Sequence, residues 1–167
     1  MVKCVVLYHS ETGNTRKMAE LIRDGCLKVP DVDAELMSID QINKEKLQAA
    51  DAIFFGSPTY YGTMSWQMKK LIDDFPIDAK DKIGAVFASA NWPGGGGSEM
   101  AEFSMIAGLL VMGMIVYSGG TTHGQPGTHF GAVSTKAPQG VDAERCIKLG
   151  ERVATLAKNL FSKERPL

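Results

Sequence analysis

The chain has 167 residues, which suits one domain spanning residues 1–167 with enough chain to bury a large core. Apolar residues make up 44% of it and charged residues 22%, the composition of a globular protein rather than a disordered one. The formal net charge is −1 and the sequence has no basic stripe, so no nucleic-acid partner is expected. The three cysteines are isolated and odd in number, which argues against a disulfide framework, and we predict no metal site.

The distribution of apolar residues gives no sign of membrane insertion. The longest apolar run, residues 106–117, is broken by Gly108 and Gly113 and is too short to span a bilayer. The N-terminal residues run directly into a strand pattern, without the features of a secretory signal. We therefore expect a cytoplasmic protein.

Hydrophobic periodicity predicts strands and helices in alternation along the chain. Strands are predicted over residues 2–8, 32–39, 51–57, 83–89 and 114–117. Helices are predicted from about residue 14 and over residues 42–50, 64–75, 98–112 and 142–161, the last with Asp142 as its N-cap. Residues 119–141 are predicted to be a long irregular stretch. This order predicts the α/β class: a three-layer, doubly wound fold around a five-stranded parallel sheet.

Ligands of such a sheet bind beyond the carboxyl ends of its strands, so the loops after the strands are the places to search. The first loop has the sequence Ser-Glu-Thr-Gly-Asn-Thr over residues 10–15. Its hydroxyl and backbone N–H groups meet at a helix N-terminus, which favours an anion. An ordinary capped turn has the same composition, so this reading stays open at this point. The spacing matches neither a P-loop nor the three-glycine dinucleotide fingerprint.

Aromatic and glycine-rich loops follow the later strands. Tyr60 and Tyr61 come after the third strand, and an exposed pair suits stacking on a planar ring, unless one of them packs inward. Trp92 and a run of glycines follow the fourth strand. The exposed backbone N–H groups of such a loop could bind the polar edge of a ring, and the alternative is a flexible loop with a tryptophan on the surface. The stretch after the fifth strand is long enough to suggest a function, and it contains His129, which taken alone is more simply a structural or exposed histidine. A flat heteroaromatic ligand with one terminal phosphate would satisfy all four loops.

Three segments carry a resemblance to a known family. Residues 10–15 look like the phosphate loop of flavodoxins, Ser/Thr-x-Thr-Gly-Asn-Thr. Residues 56–64 are similar to the Gly-Thr-Pro-Thr-Arg-Phe-Gly-Asn-Met segment of the WrbA type of NAD(P)H:quinone oxidoreductases, and residues 127–132 resemble the Gly-Thr-Pro-Tyr-Gly-Ala segment of that type. The chain departs from that type at Tyr60, where the type has Arg, and at His129, where it has Pro. It is also shorter than is usual for that type.

The resemblance implies a flavodoxin-like sheet with strand order 2-1-3-4-5 and non-covalently bound FMN. His129 would lie near the flavin ring as the catalytic proton donor or polarising group. The residues that the resemblance assigns to FMN are, for the phosphate, Ser10, Thr12, Gly13, Asn14 and Thr15 and, for the ring, Pro58, Thr59, Tyr60, Tyr61, Gly62, Asn91, Trp92, Gly94 and Gly95.

The first functional hypothesis that follows is an FMN-dependent NAD(P)H:quinone oxidoreductase, which transfers a hydride from NADH or NADPH through FMN to a quinone. The alternative is a flavodoxin-type electron carrier between redox protein partners, which the first loop favours and the weak net charge disfavours. A receiver-like module without flavin would need an Asp after the third strand, where the sequence has Phe-Gly-Ser. A homodimer is compatible with the first hypothesis, because a neighbouring subunit often completes the exposed ring site of quinone reductases.

Overall fold

Strands and helices alternate through residues 1–92 and 96–162, which are the residues described by the computed structural model. The strands are β1 (Val2–Tyr8), β2 (Val32–Ser38), β3 (Ala52–Tyr60), β4 (Thr63–Met64), β5 (Ile83–Ala90), β6 (Ile115–Val116) and β7 (Ala132–Thr135). The helices are α1 (Asn14–Cys26), α2 (Lys44–Gln48), α3 (Trp66–Asp73), α4 (Ser98–Val111) and α5 (Gly140–Phe161).

The central sheet has the order β2-β1-β3-β5-β6, and every pair along that path is parallel. Because β5 and β6 are the fourth and fifth predicted strands, this is the predicted order 2-1-3-4-5, and the predicted fold class is confirmed. β4 is an addition that pairs antiparallel with the end of β3. The carboxyl ends of β1, β3 and β5 therefore lie side by side, which places the loops that follow them at one edge.

The edge strand of the sheet is built in two pieces. β6 pairs only with the start of β5, at Ile83 and Gly84, whereas β7 pairs with the last four residues of β5, Phe87–Ala90. The chain leaves the edge after β6 and returns at β7, so residues 117–131 form a connection along it. The prediction of a wholly irregular stretch over residues 119–141 is therefore wrong, since a strand and the first residues of a helix lie within it.

The start of the last helix also differs from the prediction. α5 begins at Gly140 and its N-cap is Gln139, so Asp142 lies in the first helical turn and is not the N-cap. The Asp142 carboxylate instead accepts a hydrogen bond from Nη1 of Arg145, at 3.0 Å, one turn along the helix. An acid suits either position, because both lie at the positive end of the helix dipole, and composition alone does not separate them.

Two hydrophobic clusters fill the space on the two faces of the sheet. One includes Met18 and Ile22 of α1 together with Leu149 and Val153 of α5. The other holds Met68 and Ile72 of α3 with Met105 and Leu109 of α4. All eight residues of β5 are buried, as expected for a strand covered on both faces. No helix within residues 1–92 and 96–162 is long and apolar enough to cross a membrane.

Candidate functional site

The loop after β1 leads into a helix N-terminus that offers free backbone donors. Gly13 is the N-cap of α1 and has a φ of 89°, in the left-handed region that favours glycine. Within the described residues, no side chain caps this end and no acid lies in the first turn of α1. The first N–H groups of a helix have no partner inside the helix, so here they remain available to an anion.

Two buried hydroxyl groups at the same sheet edge have no hydrogen-bond partner among the described residues. They are Oγ of Ser10, in the first loop, and Oγ1 of Thr59, near the end of β3. An unpaired buried polar group costs about 1–3 kcal/mol, so such atoms usually face a ligand or an ordered water. Both residues were predicted to bind the cofactor, and their unused donors fit a ligand that carries oxygen and nitrogen acceptors.

The Thr15 side chain has a structural partner instead. Its residue is buried, and its Oγ1 lies 2.8 Å from Oγ of Ser89 in β5. This hydrogen bond ties the start of α1 to the end of the neighbouring strand. A phosphate at this place would therefore meet the backbone N–H of Thr15 more readily than its hydroxyl.

A polar cleft of about 540 Å³ lies in front of α1. It brings together three of the predicted cofactor residues, Thr12, Asn14 and Asn91. Its other wall comes from the end of β7 and the residues after it, which sequence reasoning did not assign to the site because β7 was not predicted. These further lining residues are Thr135, Lys136, Ala137, Gln139 and Asp142.

The predicted aromatic loop after β3 is a tight hairpin. Thr59 pairs with Met64 and Tyr60 with Thr63, so Pro58, Thr59 and Tyr60 belong to β3 rather than to a loop. The two-residue turn consists of Tyr61 and Gly62, both with positive φ (49° and 78°), as a type I′ turn requires.

The two tyrosines of the hairpin have different surroundings. The Tyr61 side chain is fully exposed at the tip. Tyr60 is partly shielded, and burial and the nearby carboxylate of Glu11 raise the pKa of its phenol. Tyr60 therefore lies over the first loop, while Tyr61 remains free to contact a bound molecule.

A buried chain of hydrogen bonds joins the first loop to the hairpin. Nδ1 of His9 lies 2.9 Å from Oγ of Ser65, and Oγ of Ser57 lies 3.2 Å from the same atom. The backbone N–H of Ser65 donates to Ser57 Oγ at 2.8 Å, and that of His9 donates to the carbonyl of Gly56 at 2.9 Å. Ser65 Oγ also caps α3 by accepting from Met68 N–H. Burial lowers the pKa of His9, although Glu11 opposes this, so the neutral imidazole is the form that fits.

The loop before α4 touches the tip of the hairpin. A Cβ atom on Gly97 would lie 3.0 Å from the Cα of Gly62, so the two backbones are in contact there. Asn91 and Trp92 are exposed beside this contact, as the prediction of a ring-flanking tryptophan requires. The predicted cofactor residues Gly94 and Gly95 lie outside the described residues.

His129 lies on a connection that is fixed at several points. Phe130 packs on Phe103 of α4 with ring centroids 4.1 Å apart, and Nε of Arg145 donates to the carbonyl of Gly127 at 3.1 Å. The imidazole of His129 is exposed, and its Nδ1 lies 3.3 Å from Oε1 of Glu99 in the first turn of α4. The predicted proximity of His129 to the flavin ring stays a prediction.

Sequence reasoning missed one buried acid near His129. Glu102 lies in α4, only 1% of it is exposed, and burial raises its pKa well above the usual value for a glutamate. It lines a cavity of about 200 Å³ together with Glu99, Thr128, His129 and Arg145. The signal was an acid inside a helix predicted to be apolar nearly all round.

A separate groove of about 590 Å³ lies at the opposite edge of the sheet. It includes Pro30, which precedes β2, and Tyr117, whose N–H donates to Gly84 at the start of β5. It is larger than the cleft beside α1, but none of the predicted cofactor residues lines it. Its cationic side chains are Lys28, Lys148 and Arg152.

The chain belongs to the flavodoxin family, because residues 6–113 match the family model for flavodoxin. It is 39% identical over 161 aligned positions to a flavodoxin of Clostridium saccharobutylicum, which covers 96% of this chain and 100% of that protein. It is 35% identical to the NAD(P)H dehydrogenase (quinone) of Archaeoglobus fulgidus, over 96% of this chain and 100% of that protein. The crystal structure of a flavodoxin, WrbA-like protein from Agrobacterium tumefaciens superposes with a TM-score of 0.76 at 29% identity, covering 95% of this chain and 99% of that one. The resemblance identified in the sequence is confirmed.

Membership of this family implies FMN, and the described edge residues fit that cofactor. The uncapped N-terminus of α1 and the unpaired hydroxyl of Ser10 supply donors for a phosphate. The cleft beside Thr12 and Asn14 adds polar side chains at the same place. The exposed aromatic rings of Tyr61 and Trp92 lie on the loops that follow β3 and β5.

Because the pKa of His9 is lowered in the folded chain, the stability of the fold depends on pH. The unfolded chain takes up a proton on His9 at about pH 6.5, whereas the folded chain does so only at a lower pH. Stability is therefore lost as the pH falls from about 6.5 through the lowered pKa. We expect His9→Gln to be less stable than wild type at pH 7. Its free energy of unfolding should decrease less between pH 7 and pH 5 than that of wild type, and the midpoints of urea unfolding at the two pH values measure this decrease.

The matched control is His123→Gln, since His123 is exposed. This variant should lose as much stability between pH 7 and pH 5 as wild type does. If His9→Gln also loses as much stability as wild type over this range, the His9–Ser65 contact does not depend on a neutral imidazole.

Proposed function

We propose that this protein binds FMN at the carboxyl edge of the sheet and acts as an NAD(P)H:quinone oxidoreductase. FMN, when bound, supplies the two-electron redox chemistry. The observation that carries the proposal is the exposed pair of His129 and Glu99, whose Nδ1 and Oε1 atoms lie 3.3 Å apart. An imidazole beside a carboxylate can pass a proton through its ring nitrogens, and reduction of a quinone consumes protons whereas simple electron transfer does not.

Each predicted residue then has a role in this proposal. Ser10, Thr12 and Asn14, with the N–H groups of Gly13 and Thr15, would hold the phosphate. Pro58 to Gly62, Asn91, Trp92, Gly94 and Gly95 would border the ring, with Tyr61 and Trp92 as stacking surfaces. His129, oriented by Glu99, would give a proton to the oxygen of the acceptor. NADH or NADPH would be a transient donor, since the exposed rings leave room for a second planar group.

The alternative proposal is an electron carrier between redox proteins. The flavodoxin of Clostridium saccharobutylicum, similar over its full length, supports this alternative. The small net charge of −1 does not support it, because a carrier usually steers its partners with one dominant sign of charge. The cleft in front of α1 is lined by charges of both signs, Lys136 and Asp142, which give little electrostatic steering.

Anaerobic mixing of the FMN-loaded protein with NADH, and separately with NADPH, distinguishes the two proposals. We expect one of the nucleotides to bleach the flavin absorbance rapidly and a benzoquinone to restore it. His129→Ala should slow the restoration while FMN stays bound. Absence of bleaching by either nucleotide, with normal reduction by dithionite, would favour the carrier.

The phosphate assignment is tested by removing two side chains at the N-terminus of α1. Thr12→Val together with Asn14→Ala should weaken FMN binding by several kcal/mol, because each hydrogen bond to a charged group contributes about 1.5–3 kcal/mol. The affinity is measured by fluorescence quenching during titration of the apoprotein. The control pairs Thr121→Val with Asn159→Ala, two exposed residues outside the cleft. Equal affinity of the double variant and the wild type would exclude this loop as the phosphate site.

We also propose that two copies of the chain associate through α4 and that the protein is cytoplasmic, where its three free cysteines would stay reduced. Phe103, Leu110 and Val111 are exposed on α4, by 43%, 59% and 89%. Residues 103–118 carry no charged side chain, so this strip would complement a second copy of itself across a two-fold axis.

Sedimentation equilibrium should give the mass of two chains for the wild type and of one chain for Val111→Lys. Thr155→Lys, at an exposed position of α5, should leave the mass unchanged. A wild-type protein that sediments as a single chain at all concentrations would contradict the dimer.

A further inference from the structure

Glu102 is a buried acid without a hydrogen-bond partner at Oε1. The atom is inaccessible and no group among the described residues bonds to it. The other buried side chains of α4 include Ala101, Met105 and Leu109, so Glu102 is an acid on the core-facing side of the helix. Burial, and to a smaller extent the charge of Glu99, raise its pKa well above the usual value. Burial therefore favours the neutral, protonated form of this carboxyl group.

The charged and titratable groups around Glu102 come from three parts of the chain. Glu99 lies one turn before it on α4, and His129 comes from the connection between β6 and β7. Arg145 of α5 lines the same cavity, but its guanidinium is held by Asp142 and by the carbonyl of Gly127. Cys146 of α5 is buried, and its pKa is raised to about 12, mainly by burial, so it stays a neutral thiol.

A cavity connects Glu102 with the exposed His129–Glu99 pair. Its volume of about 200 Å³ is enough for several water molecules, and its wall offers polar partners such as Thr128 and Arg145. His129 and Glu99 are 69% and 54% exposed, so they lie at the open end of this cavity. Gly97, just before α4, touches Gly62 of the hairpin, so this open end is beside the loops that would border the ring.

We propose that Glu102 is a proton store for His129, and that the acceptor reduced at this edge is therefore one that takes up protons, as a quinone does. This inference rests on the proposed function. The quinone gains two electrons and one proton from NAD(P)H, and its second proton comes from a ring nitrogen of His129. Glu102 returns a proton to His129 through water in the cavity, and its carboxylate regains one from solvent by way of the open end of that cavity. The sum is NAD(P)H + H⁺ + quinone → NAD(P)⁺ + hydroquinone.

Glu102→Gln tests this inference, because glutamine keeps the shape of the side chain and cannot release the proton. FMN-loaded protein is reduced with dithionite and mixed with a benzoquinone or with ferricyanide, an acceptor that takes up no proton. We expect reoxidation by the quinone to be at least about tenfold slower in the variant. As the pH is raised, the reoxidation rate of the variant should begin to decrease at a lower pH than that of wild type. Reoxidation by ferricyanide should be unchanged. Glu144→Gln, at an exposed position of α5, is the control for both acceptors.

A second measurement needs no FMN. The infrared spectrum of the apoprotein at pH 7 should contain the carbonyl band of a protonated carboxyl, and Glu102→Gln should remove that band. The unfolded chain ionises Glu102 at about pH 4.5, whereas burial raises the pKa of this group in the folded chain, so the contribution of Glu102 to stability should decrease as the pH rises above that value. The difference in unfolding free energy between wild type and Glu102→Gln measures this contribution. The variant should lose this dependence.

Three results would overturn the inference: equal slowing with both acceptors, quinone reoxidation at the wild-type rate, or absence of the protonated band from the wild type. Dithionite supplies the electrons, so these results do not depend on NAD(P)H. Failure of the proposed function is seen separately, as absence of flavin bleaching by either nucleotide. A protein that takes up no FMN overturns both.

Discussion

The candidate site depends on one buried contact, between the imidazole of His9 and the hydroxyl of Ser65. Through Ser57 this contact joins the end of β1 to the hairpin after β3. Parallel strands bring their carboxyl ends to one edge, but they do not fix how the loops beyond them lie against each other. The hydrogen-bond chain supplies that constraint, and it also caps α3. The loop after β1 and the hairpin after β3 thus become two walls of the candidate site.

The split edge strand supplies the remaining walls. Because β6 covers only the start of β5 and β7 only its end, the chain between them passes along the sheet edge. That passage places His129 beside Glu99, and its return through β7 places Lys136 and Gln139 opposite Thr12. If the fifth strand were uninterrupted, the site would lack both His129 and the cleft residues Lys136 and Gln139. The His129–Glu99 pair and part of the polar cleft therefore have the same structural origin.

Most of the fold could be predicted from the sequence, because β1, β3 and β5 are long, apolar and buried on both faces. The first loop could also be predicted, since its hydroxyl residues and glycine precede a clear helix. β7 could not, because four residues between glycine-rich and proline-containing segments carry too weak a periodicity. The cleft residues that follow it were missed for the same reason. Glu102 was visible as an acid in an apolar helix, but its burial and cavity depend on how the later connection packs.

The central claim is that FMN binds at the carboxyl edge of the sheet, and amide chemical shifts of the apoprotein during titration with FMN test it most directly. We expect the largest changes in residues 10–15, 57–62 and 91–92, with smaller changes near His129. The groove at the opposite edge, at Lys28, Lys148 and Arg152, is larger and basic and is the natural competitor for a phosphate. Changes concentrated in that groove, with the loops after β1 and β3 unaffected, would show that FMN does not bind at the carboxyl edge.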